Sequence, residues 1–122
     1  MGSAMVNMEA RKASLEALSE AYNRRDVPAM VDALDPQVEW MDMIEGVPIK
    51  GRGAVGAYWT EQFKLMDFEV TPLAIDTLSD GRMVVTAAQT MKRPDGALWG
   101  SEKVTHVITF GDDGLVLRMD PR

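Results

Sequence analysis

An α+β domain is the fold class this sequence predicts, and three observations predict it. Apolar residues recur at spacings of three and four only in the first half of the chain, as one face of a helix requires. From Phe68 the pattern is strand-like to the end, and the connectors "SDGR", "PDGA" and "GDDG" carry hairpin-turn chemistry. Helices followed by a run of strands point to α+β order and not to a parallel doubly wound sheet. With 122 residues, 46% of them hydrophobic and 26% charged, the chain suffices for one core. No repeat, linker or low-complexity tract marks a second domain.

The elements follow in order. "MGSA", ahead of a second Met5, reads as a cloning remnant covering residues 1–4, with a single domain over residues 5–122. From about residue 8, Leu15, Leu18, Ala21 and Tyr22 line one helix face, and Val27, Met30, Val31 and Leu34 line a second. "NRRD" breaks them, with Asp26 as N-cap and Pro28 near the first turn of the second helix. Pro36 is expected to end that helix. "VEWMDM" alternates, placing Val38, Trp40 and Asp42 on one face and Glu39, Met41 and Met43 on the other. "GVPIKGRG" reads as a turn whose "GRG" N-caps a third helix, "AVGAYWTEQFKLM". Val55, Trp59, Phe63 and Met66 share a side of that helix. As a phosphate loop "GRG" is a very weak signal, because no Lys and Ser or Thr pair follows. The four remaining segments, "FEVTPLAIDTL", "RMVVTAAQTMKR", "WGSEKVTHVITF" and "LVLRMD", form an antiparallel meander.

Composition removes several function classes. The formal charge of −6, from 13 basic and 19 acidic residues, disfavours nucleic acid and an anionic membrane surface as partners. There is no cysteine and only one histidine, so disulfides and thiolate metal sites are excluded, and no metal or cofactor is expected. No apolar run approaches the roughly 18 residues a membrane span needs. The N-terminus lacks the basic and apolar regions of a signal peptide, so a cytoplasmic location is expected.

Strand parity singles out the lone imidazole. In "EKVTHVITF", Val104, His106, Ile108 and Phe110 make an apolar face interrupted once, while Lys103, Thr105, Val107 and Thr109 make a mixed one. If "GDDG" is a four-residue connection, residues 110 and 115 pair and Met119 lies opposite His106. If "PDGA" closes the preceding hairpin, Val85 lies opposite His106 from the other side and Gln89 opposite Glu102. The face with Lys103, Thr105, Thr109, Val116, Arg118 and Asp120 is too mixed for a core yet lies on long central strands. A two-fold partner is expected to cover it.

The stretches "AYNRRDVPAMVDALDPQVEW", "IKGRGAVGAYW" and "VTHVITFGDDGLVLRMD" resemble SnoaL-like proteins of the nuclear transport factor 2-like superfamily over nearly the whole chain. Relatives there include ketosteroid isomerases, polyketide cyclases, limonene epoxide hydrolases and scytalone dehydratase. The resemblance implies a cone, with a curved, mixed but mainly antiparallel sheet wrapped around three N-terminal helices. It also implies an apolar pocket and a homodimer through the outer sheet face. It identifies a fold that carries many chemistries. Aligned on the isomerase pattern, His106 falls where that family has its buried proton-donating aspartic acid. Trp40 falls at its general base, with Asp42 two residues on and on the same face, and Leu18 at its oxyanion tyrosine. All three positions depart from the pattern. "TAAQTM" lacks the Arg-x-Asp of the epoxide hydrolases, which argues against that activity.

The leading expectation is a small, largely apolar organic ligand in a central pocket, with cofactor-independent proton transfer of isomerase, cyclase or dehydratase type. His106 would be acid or base, because imidazole titrates near neutrality, with Asp42 as its partner. Trp40, Tyr58, Trp59, Phe63 and Met66 would wall the pocket with Val85 and Met119, and Gln89 would lie nearer its mouth. The alternative is a non-catalytic ligand-binding or assembly domain, in which His106 is a satisfied core residue, Asp42 caps the "IEGVPIKG" loop, and the aromatics, Trp99 included, are structural.

Overall fold

Two helices, α1 (Ser3–Arg24) and α2 (Val27–Asp32), open the chain in the computed structural model, which describes residues 3–42 and 45–122. The "NRRD" break is a tight reversal. Arg25 takes a left-handed φ of 58°, and the Asp26 N–H donates to the Ala21 carbonyl at 2.9 Å. Asp26 then caps α2, its carboxylate accepting from the Ala29 N–H at 3.3 Å, with a proline in the first turn. Helix α1 starts about five residues before the expected point.

Strand β1 (Leu34–Met41) begins two residues after α2 ends, so Leu34 belongs to the sheet and Pro36 lies inside a strand and does not terminate the helix. The ladder to the last strand changes register between Leu34 and Glu39, which accommodates a residue with no N–H to donate. Met43, placed above on a strand face, lies outside the described residues. The stretch expected to be a plain turn contains a short strand, β2 (Pro48–Lys50), paired with β1 through Trp40 and Ile49. Its proline is its first residue, where a strand tolerates one. Gly51 caps helix α3 (Arg52–Leu65) without a side chain, and Met66 is the residue just past its end.

Strands β3 (Asp67–Thr77), β4 (Met83–Lys92), β5 (Leu98–Phe110) and β6 (Val116–Pro121) form the expected meander. The six strands run in the order β2-β1-β6-β5-β4-β3, all antiparallel except the β1–β6 pair. Gly96 turns the β4–β5 hairpin at φ 88°, where a side chain would be strained. That turn, with a bulge that leaves Trp99 as an additional residue, sets Val85 opposite His106 and Gln89 opposite Glu102. The β5–β6 hairpin departs from the expected register. The turn closes with the Gly111 N–H on the Leu115 carbonyl, so Phe110 faces Val116 and not Leu115, and Leu117 is then an additional residue. The two shifts together put Pro121 opposite His106 and Met119 opposite Ile108. Paired with Phe110, Val116, expected on the outer face, lies in the core, where it is fully buried.

The core lies between the concave face of the sheet and the helices. It contains Leu15, Ala21, Met30, Leu34, Val38, Val55, Trp59, Met83, Ile108, Val116 and Met119. Edge strand β3 is clamped to α1 by Asn23, whose amide donates to the Val70 carbonyl at 2.8 Å and accepts from the Val70 N–H at 2.7 Å. Among the described residues no helix is long and apolar enough to cross a membrane.

Candidate functional site

Two periodicities converge on one cavity. Leu15, Leu18, Ser19 and Tyr22 project from one face of α1 at helical spacing. Val85, Ala87 and Gln89 of β4 and Val104, His106 and Ile108 of β5 project from the concave sheet face at every second position. Trp40 of β1 and Val70 of β3 complete the lining. The cavity offers about 110 Å³ to the centres of water-sized molecules. That is several times the roughly 10–15 Å³ by this measure that one water occupies.

The lining is apolar except for Ser19, Tyr22, Gln89 and His106. His106 is half-buried, and burial pulls its pKa below the ordinary 6.5, so the ring is neutral at neutral pH. Among the described residues no group hydrogen-bonds the imidazole, and neither ring nitrogen is sealed from open space. Tyr22 is pushed far above the ordinary phenol range, first by burial and then by nearby Tyr58. Arg25 and the Gln89 side chain beside its hydroxyl act in the opposite sense. Behind Tyr22, Phe63 packs edge-on at 5.1 Å between ring centroids, and the Arg25 guanidinium lies 5.7 Å from the Phe63 ring centre.

The expected site residues therefore separate. His106, Trp40, Val85 and Gln89 share the cavity. Trp59 and Met119 are core residues behind it, only 2% and 1% exposed. Trp59 meets the Trp40 ring edge-on, and Met119 is the neighbour of Trp40 across the parallel β1–β6 pair. Tyr58 and Phe63 pack against the core from α3, and Met66 lies half-buried beyond its end. Asp42 is not among the lining residues. Its Oδ1 accepts from the Glu45 N–H at 3.2 Å, while its backbone accepts from Gly46 and donates to Val47, so it secures the β1–β2 connection. Leu15, Leu18, Ser19 and Tyr22 are lining residues that strand parity could not supply. Tyr22 did carry a signal, since a phenol on an otherwise apolar helix face needs a polar neighbour. Among the described residues no group of three or more His, Asp or Glu could hold a metal ion.

This architecture recurs in solved structures. A nuclear transport factor 2-like protein of unknown function from Burkholderia pseudomallei is similar at 21% identity over 93% of this chain and 89% of its own, with a TM-score of 0.80. A polyketide cyclase, so described provisionally, from Xanthomonas campestris matches at 18% identity over 94% and 90%, with a TM-score of 0.82. A Mycobacterium tuberculosis protein in complex with estradiol-17beta-hemisuccinate matches at 14% identity over 92% of both chains, with a TM-score of 0.79. Identities this low establish the shared fold alone. No curated protein matches the sequence. The family model of the SnoaL-like domain, however, matches residues 15–119, a range that contains every residue lining the cavity. The chain belongs to the SnoaL-like domain family.

Proposed function

We propose that the cavity binds a small, largely apolar organic molecule and that His106 moves a proton on it without a cofactor, in a reaction of isomerase, cyclase or dehydratase type. One observation carries this reading: the only imidazole of the chain faces an apolar cavity, neutral, with no protein hydrogen bond among the described residues. A structural histidine satisfies buried partners, whereas a ring with a free lone pair is ready to accept a proton and return it to another atom of the same substrate. Burial lowers the basicity of the ring and keeps that lone pair available at neutral pH. Trp40 supplies a flat wall, supported from behind by Trp59. Asp42 enters this reading as the group that fixes the end of β1, and with it Trp40.

The steroid ester held by the mycobacterial relative supports an apolar, ring-bearing ligand class. A two-fold partner on the outer sheet face belongs to the same proposal. There Glu39, Lys50, Arg118 and Asp120 form a charged network across β1, β2 and β6.

Native mass spectrometry of the protein purified from its own host tests the ligand. A bound organic molecule of small mass is expected. With that molecule as substrate, His106→Gln should retain binding and lose about 100- to 10,000-fold in turnover. Unchanged turnover would remove the catalytic role.

A further inference from the structure

Along the sheet wall of the cavity the polar groups are not clustered; His106 and Gln89 stand at two ends. Val85, the direct neighbour of His106 across the β4–β5 pair, and Gln89 are four positions apart on one strand. At roughly 3.3 Å per residue this separates them by about 13 Å along β4. Between them the inward positions are Ala87 and, on β5, its partner Val104, both apolar. At the far end the Gln89 side chain stands beside the Tyr22 hydroxyl. Arg25, ion-paired with Asp67 at 3.3 Å, is close enough to favour negative charge on that oxygen. A phenol and an amide are therefore arranged around one spot, with an apolar floor running from there to the imidazole.

We propose that the cavity selects an elongated ligand with two polar ends, whose reacting end lies at His106 and whose second end, a hydroxyl or carbonyl oxygen, is read by Tyr22 and Gln89. This deepens the function proposed above and rests on it for the reacting end. Both groups can donate and accept, Tyr22 through its hydroxyl and Gln89 through its amide. Either oxygen type would be satisfied, whereas a purely apolar tail would cover the donor and acceptor capacity that Tyr22 and Gln89 do not use on each other, at a cost in affinity. Tyr22 and Gln89 act here as specificity-determining residues. They do not reach the reacting atoms.

Isothermal titration calorimetry with two probes tests this: biphenyl carrying one para hydroxyl, and biphenyl carrying a hydroxyl at both para ends. The wild-type protein should bind the two-ended probe about 5- to 30-fold more tightly, the worth of one to two net hydrogen-bond contributions. In a Tyr22→Phe, Gln89→Leu double variant the preference should fall to about twofold or below, the statistical advantage of a symmetric molecule. Affinity for the one-ended probe should be retained or rise, since its apolar end then meets apolar side chains, and a far-UV circular dichroism spectrum matching that of the wild-type protein shows that the variant is folded. If both probes bind and the preference is absent, or survives in the double variant, the two-ended reading is overturned while the reading of His106 stands. If neither probe binds the wild-type protein, the two-ended reading falls together with the apolar-ligand reading beneath it.

Discussion

Trp40 and Trp59 meet edge to face, with ring centroids 5.0 Å apart and an interplanar angle of 80°. The two rings are chemically alike and differently placed: Trp59 is sealed in the core, while Trp40 is half-buried and lines the cavity. Trp59→Ala should therefore cost about 3–5 kcal/mol of folding stability, the range for emptying a packed aromatic site. Trp40→Ala should cost clearly less and weaken ligand binding instead, because part of its surface already borders open space. Urea denaturation of both variants checks this. Equal losses would place Trp40 in the core.

The clamp between α1 and the edge strand gives a second expectation. Asn23 makes two hydrogen bonds to the Val70 backbone, occupying groups that an open sheet edge would leave exposed. Asn23→Ala should lower stability by about 1 kcal/mol, the usual net worth of such bonds near solvent. It should also speed hydrogen exchange at the Val70 amide more than elsewhere in β3. Unchanged protection of Val70 would mean that the strand needs no clamp.

Hairpin register was legible where local irregularities cancel. "PDGA" closes with the Arg93 N–H on the Ala97 carbonyl, and a bulge then leaves Trp99 as an additional residue; together the two give the expected Val85–His106 and Gln89–Glu102 pairs. "GDDG" reads just as clearly, yet Met119 stands opposite Ile108, because the turn closes on Gly111 and Leu115 and Leu117 is an additional residue, and no local propensity marks either shift. Strand β2 was illegible for a related reason. Three residues carry no period, and only pairing with β1 makes them a strand. The sheet half of the cavity could be read from parity around His106. The α1 half depends on how the helix is rotated over the sheet, which sequence period does not set.

Assembly yields a third expectation. Arg118 joins Glu39 and Asp120 on the outer face, its Nη1 and Nε each 2.8 Å from a carboxylate oxygen. In water such pairs add little stability. Covered by a second copy they would be desolvated, and removing the cation would strand two carboxylates. Light scattering at micromolar concentration should give twice the 13.5 kDa chain mass, and Arg118→Ala should weaken association at least about tenfold. A monomer mass for the wild-type protein would remove the two-fold partner.

The last expectation concerns pH. Burial lowers the His106 pKa in the folded chain below 6.5, so between those two values the unfolded chain binds more protons than the folded one. Stability then rises with pH across that window. The contribution is complete above 6.5, declines as pH falls toward the folded pKa, and levels off below it. His106→Gln does not titrate, so its thermal midpoint should fall less than that of the wild-type protein over the same acid range. At neutral pH the two midpoints should nearly coincide, because no protein hydrogen bond to the ring is lost. Catalysis should follow the same group. A general base works only when unprotonated, so kcat/KM should fall toward acid with an apparent pKa below 6.5, and that limb should vanish in the variant. Parallel pH–stability curves for the two proteins would mean that the imidazole is as solvated in the fold as in the unfolded chain. A large stability loss at neutral pH would instead assign His106 to the packing of the sheet.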